Sequence, residues 1–201
     1  MITDDLGQIH TLLKRSSYYK FNIKTPVLWL FTDSSKIIDP EIFLDSLPSF
    51  NNLGIVFRYY NIKNRYKLAK KILRICRKKK FSLLIGGDPK LAKLLGANGV
   101  HYPRWIKKAR PLTNSITSCS FHGYKDILRS RELNANLAFL SPIFASTSHA
   151  KTIPLGILRA SFIINSLNID CAALGGINTK NIRRFIGTNF SAIGAIDLFI
   201  K

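Results

Sequence analysis

Phe139-Leu140-Ser141-Pro142-Ile143-Phe144, with Leu155-Gly156 beyond it, and Ala173-Leu174-Gly175-Gly176-Ile177 further on are the stretches that decide the fold. Each begins as an apolar run of strand length and ends in small or hydroxyl-bearing residues, as expected where a strand stops at a ligand rather than at solvent. They read as strands six and seven of an α/β domain, a single (β/α)8 TIM barrel whose active-site mouth lies at the carboxyl ends of the strands.

Outward from this pair, apolar runs predict strands over 27–31, 54–57, 81–85, 99–102, 116–121, 137–144, 171–174 and 191–196. Helices are expected between them, over 37–47, 64–80, 90–95, 105–110, 124–133, 156–167 and 178–186. This alternation has the spacing of βα units, which right-handed crossovers close into a barrel. The usual last helix is not expected after strand eight, which leads into Asp197-Leu198-Phe199-Ile200-Lys201. Leu6, Ile9, Leu12 and Leu13 recur at helical spacing, so segment 1–25 is read as an N-terminal helix and connector ahead of a barrel over 26–201. That helix is expected to cover the flank left bare by the missing one, with a homodimer contact over the same gap as the alternative.

With 201 residues, 46% of them apolar and 11% aromatic, the chain has the makings of a sizeable core and is not a disordered segment. Lys and Arg total 31 against 11 Asp and Glu, a formal charge of +20 that favours anionic partners, unless it reflects compositional bias alone. The most basic element, 64–80, reads as an outer barrel helix with a solvated face. It has Tyr66 but no interleaved aromatic platform, so nucleic acid is not the expected partner; a small phosphorylated metabolite is. Cys76, Cys119 and Cys171 form no Cys-x-x-Cys pair, which indicates neither a zinc site nor a disulfide framework. No apolar leader or membrane-length run occurs, and a cytoplasmic protein is expected.

The expected strand ends bring polar residues to one mouth: Asp33, Arg58 and Tyr60, Asp88, His101, Ser120 and His122, Ser141, Ser146, Ser148 and His149, then Gly175-Gly176, Gly194 and Asp197. Paired glycines after strand seven let backbone N–H groups approach an anion, and Gly194 after strand eight is expected to complete a phosphate cradle. A lone histidine at a strand end, such as His101, is more often a hydrogen-bonded structural residue, whereas His122 and His149 fall in hydrophilic loops.

Gly96-Ala97-Asn98-Gly99-Val100-His101, Pro142-Ile143-Phe144 and Leu174-Gly175-Gly176-Ile177, in this order and spacing, resemble the thiamine phosphate synthase and thiazole tautomerase superfamily over about residues 26–198. The resemblance implies the barrel fold and a role in thiamine biosynthesis. In the synthase, a thiazole phosphate attacks the methylene of hydroxymethylpyrimidine diphosphate, Mg2+ neutralises the diphosphate, and pyrophosphate leaves. It further implies Arg58 and Ser120 as retained catalytic positions and Gly175, Gly176 and Gly194, with Ser146 and Ser148, as the phosphate site. Elsewhere the family pattern is altered. Its Gln-x-Arg-x-Lys becomes Val56-x-Arg58-x-Tyr60, its Asn-Asp pair falls on Gly86 and Gly87, a second Asp falls on Ile106, and Thr-x-Thr-Lys becomes Ser146-Thr147-Ser148-His149. Pro142, where the tautomerase branch has histidine, points away from that activity. Asp88 is the carboxylate left beside the altered pair and the one candidate for Mg2+. Asp88, His122 and His149 are expected as a substitute acid/base set, with His101 and Pro142 in the pocket. The alternative reading is a non-catalytic or re-purposed phosphometabolite-binding barrel.

Overall fold

The computed structural model describes residues 25–49, 52–110, 112–146 and 152–200. Eight parallel strands follow one another around a closed barrel in chain order: β1 (Leu28–Phe31), β2 (Leu53–Phe57), β3 (Ser82–Gly86), β4 (Gly99–Tyr102), β5 (Ile116–Phe121), β6 (Leu137–Leu140), β7 (Asp170–Leu174) and β8 (Ala192–Ala195). Pairing of Leu28, Trp29 and Leu30 with Ile193, Gly194 and Ala195 joins the last strand to the first. Five α-helices lie between strands: α1 (Pro40–Ser46), α2 (Arg65–Lys79), α3 (Pro89–Leu95), α4 (Ile127–Glu132) and α5 (Gly156–Asn165).

Local chemistry sets the helix ends. Asp39 accepts from the N–H groups of Glu41 and Ile42 at the start of α1, and Asp88 accepts from Leu91 N–H at the start of α3. Both helices carry proline at their first position, where its missing N–H costs nothing. Arg77, Lys78 and Lys79 occupy the last turn of α2, the end at which cations complement the helix dipole.

Several expected elements differ. No helix forms over 105–110. Arg129, buried on α4, donates to the carbonyls of Tyr102 (3.1 Å), Pro103 (2.7 Å) and Ile106 (2.9 Å), so this segment finds its acceptors' partners outside any helix. The helix expected over 178–186 is a short 3-10 turn, Ile182–Phe185. Here Asn181 Oδ1 accepts from Asn178 N–H and Asn178 Oδ1 from Lys180 N–H, local bonds that compete with a helical ladder. Strand six stops at Leu140, because Pro142 has no N–H to extend the ladder. The helix over 124–133 opens with a 3-10 turn, Tyr124–Asp126, before α4. After β8 the chain turns, and Leu198 and Phe199 bury themselves against the outer core. The expected N-terminal helix lies outside the described residues. Among the described residues, no helix is long and apolar enough to cross a membrane.

Two cores result from the strand pleat. One lies between the barrel and its helices; the other fills the barrel with Trp29, Phe31, Val56, Leu84, Leu137 and Phe139. Large residues on β1 and β6 face small ones elsewhere. A Cβ on Gly54 would lie 2.2 Å from Trp29 Cε3, so the indole occupies the space that a side chain on β2 would need. Edge-on contacts run upward from Trp29 to Phe139 (5.7 Å), from Phe139 to Phe31 (4.7 Å), and from both phenylalanines to His101 (5.6 and 5.3 Å). His101 is buried, with Nδ1 3.0 Å from Ser118 Oγ and Nε2 3.2 Å from Ser120 Oγ. Burial, with Arg58 and Arg129 adding repulsion, depresses its pKa to about 3, so the ring is neutral.

Gly54→Ala is expected to destabilise the protein by about 1–3 kcal/mol through overpacking. Trp29→Leu introduced alongside it should recover part of the loss in a urea-unfolding double-mutant cycle. His101 yields a pH dependence. An unfolded chain protonates this histidine near 6.5, and the folded one only near 3, so unfolding takes up a proton across that window. Stability therefore falls as pH drops from 6.5 towards 3, by up to about 1.4 kcal/mol per pH unit. His101→Gln should flatten this slope between about pH 6.5 and 4.5, whatever it does to absolute stability.

Candidate active site

Two adjoining cavities open at the carboxyl ends of the strands. The larger, about 380 Å3, reaches Tyr60, His101, Ser120, His122 and Pro142; the smaller, about 60 Å3, lies against Gly175, Gly176, Ser146 and the residues that follow Gly194. Phe31, Arg58 and Leu174 line both.

Arg58 stands at their junction because β1 and β2 end beside each other. Its backbone N–H donates to Thr32 Oγ1 (2.9 Å), whose hydroxyl donates in turn to the Val56 carbonyl (3.2 Å). Its Nε donates to the Thr32 carbonyl (2.9 Å) and its terminal Nη2 to Asp33 Oδ2 (3.2 Å), with the guanidinium 5.5 Å above the Phe31 ring. Burial works against ionisation of Asp33. Bonds from the Ser35 side chain and backbone, with the charges of Arg58 and Lys36, outweigh it and hold the carboxyl below its usual range. Lys36 reaches across the smaller cavity to Asp197 at 2.6 Å.

Gly175 and Gly176 have φ of +95° and +67°, in the region that side chains rarely adopt. A Cβ on Gly176 would lie 2.3 Å from the Ala145 carbonyl oxygen, so the loop after β7 can cross the loop after β6 only without side chains. Ile143 and Phe144 N–H groups donate to the Leu174 and Gly175 carbonyls, both at 3.0 Å, and tie the loops together. The N–H groups of Gly175 and Gly176 donate to no acceptor among the described residues. Ser146 Oγ is buried beside them without a hydrogen-bond partner among the described residues. Unpaired donors around one small space fit a phosphate. Gly194 is not part of this cradle. It lies inside the barrel, where a Cβ would sit 3.1 Å from both Leu174 Cδ1 and Phe31 Cε2; Ala195, Ile196 and Asp197 face the cavity instead. Ser148 and His149 fall outside the described residues.

Ser118 Oγ donates to the Val100 carbonyl (3.4 Å), which leaves it to accept from His101 Nδ1–H. His101 Nε2 is then the acceptor, and the Ser120 hydroxyl donates to it. His101 is thus a positioning group for Ser120, which lines the larger cavity. His122 is fixed by its backbone: its N–H donates to Asp126 Oδ2 (2.7 Å), while its Nδ1, buried and without a hydrogen bond, is 3.5 Å from the same oxygen.

Asp88 does not serve as a free acid. One carboxylate oxygen accepts from Leu91 N–H at 2.9 Å and the other lies 3.5 Å from Arg65 Nη1. Arg65 also donates to the Tyr59 and Gly86 carbonyls (2.8 and 2.5 Å), binding β2 to β3. Tyr60, Gly86, Gly87 and Ile106 meet in one corner. A Cβ on Gly86 would lie 2.9 Å from Tyr60 Oη, and one on Gly87 3.4 Å from Tyr60 Cε1 and 3.7 Å from Ile106 Cδ1. Tyr60 meets Trp105 edge-on at 5.0 Å. An aromatic and apolar wall fills this corner.

The donor set does not fit Mg2+. Mg2+ at a diphosphate calls for one or two free carboxylates beside the phosphate oxygens, and among the described residues no three carboxylate, histidine or cysteine groups gather. Each carboxylate at the mouth is engaged: Asp33 with Arg58, Asp88 with Arg65, Asp126 with His122 and Asp197 with Lys36. Of the expected acid/base set, Asp88 serves as a helix cap, His122 lies beside Asp126, and His149 is outside the described residues. The sequence reading missed Thr32, Lys36, Arg65 and Arg129. Arginines and lysines abound in this chain, and nothing local marks those that turn inward.

The family model described as thiamine monophosphate synthase matches residues 54–198. An Aquifex aeolicus (strain VF5) protein provisionally named thiamine-phosphate synthase 2 is 30% identical over 190 residues, covering 89% of this chain and all of the relative (100%). The thiamine-phosphate synthase of Pelagibacter ubique (strain HTCC1062) is 31% identical over 174 residues, covering 79% and 83%. The solved thiamine phosphate pyrophosphorylase of Pyrococcus furiosus superposes with a TM-score of 0.71 at 20% identity, covering 86% of this chain and 89% of that one, a likeness of fold. By the match over the second to eighth strands and these two relatives, the chain belongs to the thiamine monophosphate synthase family.

Proposed function

We propose that the chain is a transferase of the thiamine-phosphate synthase type, joining a thiazole phosphate seated in the smaller cavity to hydroxymethylpyrimidine diphosphate seated in the larger one. The observation that carries this reading is the small chamber of unpaired donors, Gly175 N–H, Gly176 N–H and Ser146 Oγ, placed against Arg58 at the junction with the larger chamber. In this reading the thiazole nitrogen forms a bond to the pyrimidine methylene carbon as the bond from that carbon to the diphosphate oxygen breaks. The electron pair leaves on pyrophosphate, and no proton need move. Arg58, held by Thr32 and Asp33, is positioned to balance charge between the two anionic groups.

The alternative, a phosphometabolite-binding barrel without turnover, is favoured by the engagement of Asp88 in a cap and an ion pair. We leave homodimerisation as the companion proposal for the flank beyond β8, to be read by sedimentation.

Purified protein mixed with thiazole phosphate and pyrimidine diphosphate, with and without Mg2+, is expected to form thiamine phosphate above an enzyme-free blank. Thiazole phosphate binding without product would select the binding-protein reading. Ser146→Ala should weaken thiazole phosphate binding by roughly tenfold, the effect of one hydrogen bond to a charged group, in a calorimetric titration.

A further inference from the structure

The larger cavity does not end at the barrel mouth. It shares Arg104, His122 and Leu155 with a groove of about 290 Å3 that runs between the 3-10 turn Tyr124–Asp126 and α5 and adds Lys125 and Arg159. None of Arg104, Lys125 and Arg159 has an ion-pair partner among the described residues. The groove's one carboxylate, Asp126, is occupied. Burial raises its pKa, but the His122 side chain 3.5 Å away and the His122 backbone N–H, with the charges of His122 and Arg129, outweigh this and keep it ionised. At the seam between cavity and groove, His122 Nδ1 is buried with no hydrogen-bond partner. On the opposite side of the mouth, Tyr60 and Ile106 lie over Gly86 and Gly87, and every carboxylate already holds a cation or a backbone N–H.

We propose that the diphosphate of the second substrate is bound by Arg104, Arg159 and Lys125 in this groove, without a divalent cation. This rests on the reading that the larger cavity holds that substrate. The pyrimidine ring lies against the Tyr60 and Trp105 wall, and its diphosphate points into the groove. Guanidinium forks match phosphate oxygens in pairs, and three cations balance the charge that develops as the carbon–oxygen bond breaks. The leaving pyrophosphate carries off the electron pair, and the thiazole nitrogen supplies the pair for the new bond, so no further reactant is needed. Charge neutralisation has moved from a metal held by carboxylates to side chains on the other side of the mouth.

The test is calorimetric titration of the full chain with inorganic pyrophosphate, in EDTA and in Mg2+, beside a titration with thiazole phosphate. Pyrophosphate is expected to bind in EDTA and to gain less than about twofold from Mg2+. Arg104→Ala/Arg159→Ala should weaken it by about tenfold or more, while thiazole phosphate affinity holds. Lys67→Ala/Arg74→Ala, which removes the same charge from the exposed face of α2, should leave pyrophosphate affinity within about twofold. Absence of pyrophosphate binding in EDTA, a strict Mg2+ requirement, or equal losses in the two double variants would overturn the proposal. If wild-type protein binds pyrophosphate but not thiazole phosphate, the underlying assignment of the smaller cavity fails instead.

Discussion

Closing eight strands of four to six residues into a barrel leaves an interior that must be filled from within, and here the filling is unequal. Trp29 and Phe31 on β1 and Phe139 on β6 supply most of the bulk, and Gly54, Ala172, Ala192 and Gly194 make room for it. Edge-to-face aromatic pairs contribute about 0.5–1.5 kcal/mol each beyond their burial, so the column from Trp29 to His101 is both filler and scaffold. Everything at the mouth stands on it. His101, wedged above Phe31 and Phe139, fixes the Ser120 hydroxyl; Arg58 lies over Phe31 at the boundary of the two cavities.

The mouth is divided by the way its charges are paired. Around the smaller cavity, donors outnumber acceptors: two glycine N–H groups, a buried serine hydroxyl and two cations, Lys36 and Arg58, each paired with one carboxylate. Around the larger cavity, acidic groups are present but committed to structure, Asp88 to a helix start and Asp126 to the turn that carries His122. A carboxylate that already accepts a backbone N–H and faces an arginine is a poor metal ligand, because coordination would leave a half-buried donor and cation unpaired. Packing in the neighbouring corner makes the same point sterically. Tyr60 fills the space above Gly86 and Gly87, and Ile106 closes it from the β4 side, so these residues form one packed unit. Residues 60, 86, 87 and 106, scattered along the chain, therefore form a single feature of the pocket.

Arg129 shows how a side chain can decide a loop. Its guanidinium satisfies four carbonyls, those of Tyr102, Pro103, Ile106 and Ser120, and so replaces the helix that a βα unit would otherwise place after β4. The freed segment carries Arg104 and Trp105 to the cavity rim. The irregular connection is what allows the wall and the cationic groove to meet.

The strands were legible in the sequence because burial on both faces of a parallel sheet demands continuous apolar runs, and those runs are visible without any partner; β4 and β5 match the expected bounds residue for residue. The glycine pair after β7 was legible for a related reason, since a left-handed backbone and a close loop crossing leave almost no other choice. The helices expected over 105–110 and 178–186 were not, because local side-chain bonds and a distant arginine outbid a weak helical pattern. Nor could the sequence show that Gly194 admits the side chains of Phe31 and Leu174, that Asp88 caps a helix, or that Tyr60 and Ile106 share one corner. Apolar periodicity is a property of each segment and survives in one dimension. Which charge neutralises which, and which ring fills which gap, depends on residues up to 161 positions apart, as with Lys36 and Asp197, and only the closed barrel brings them together.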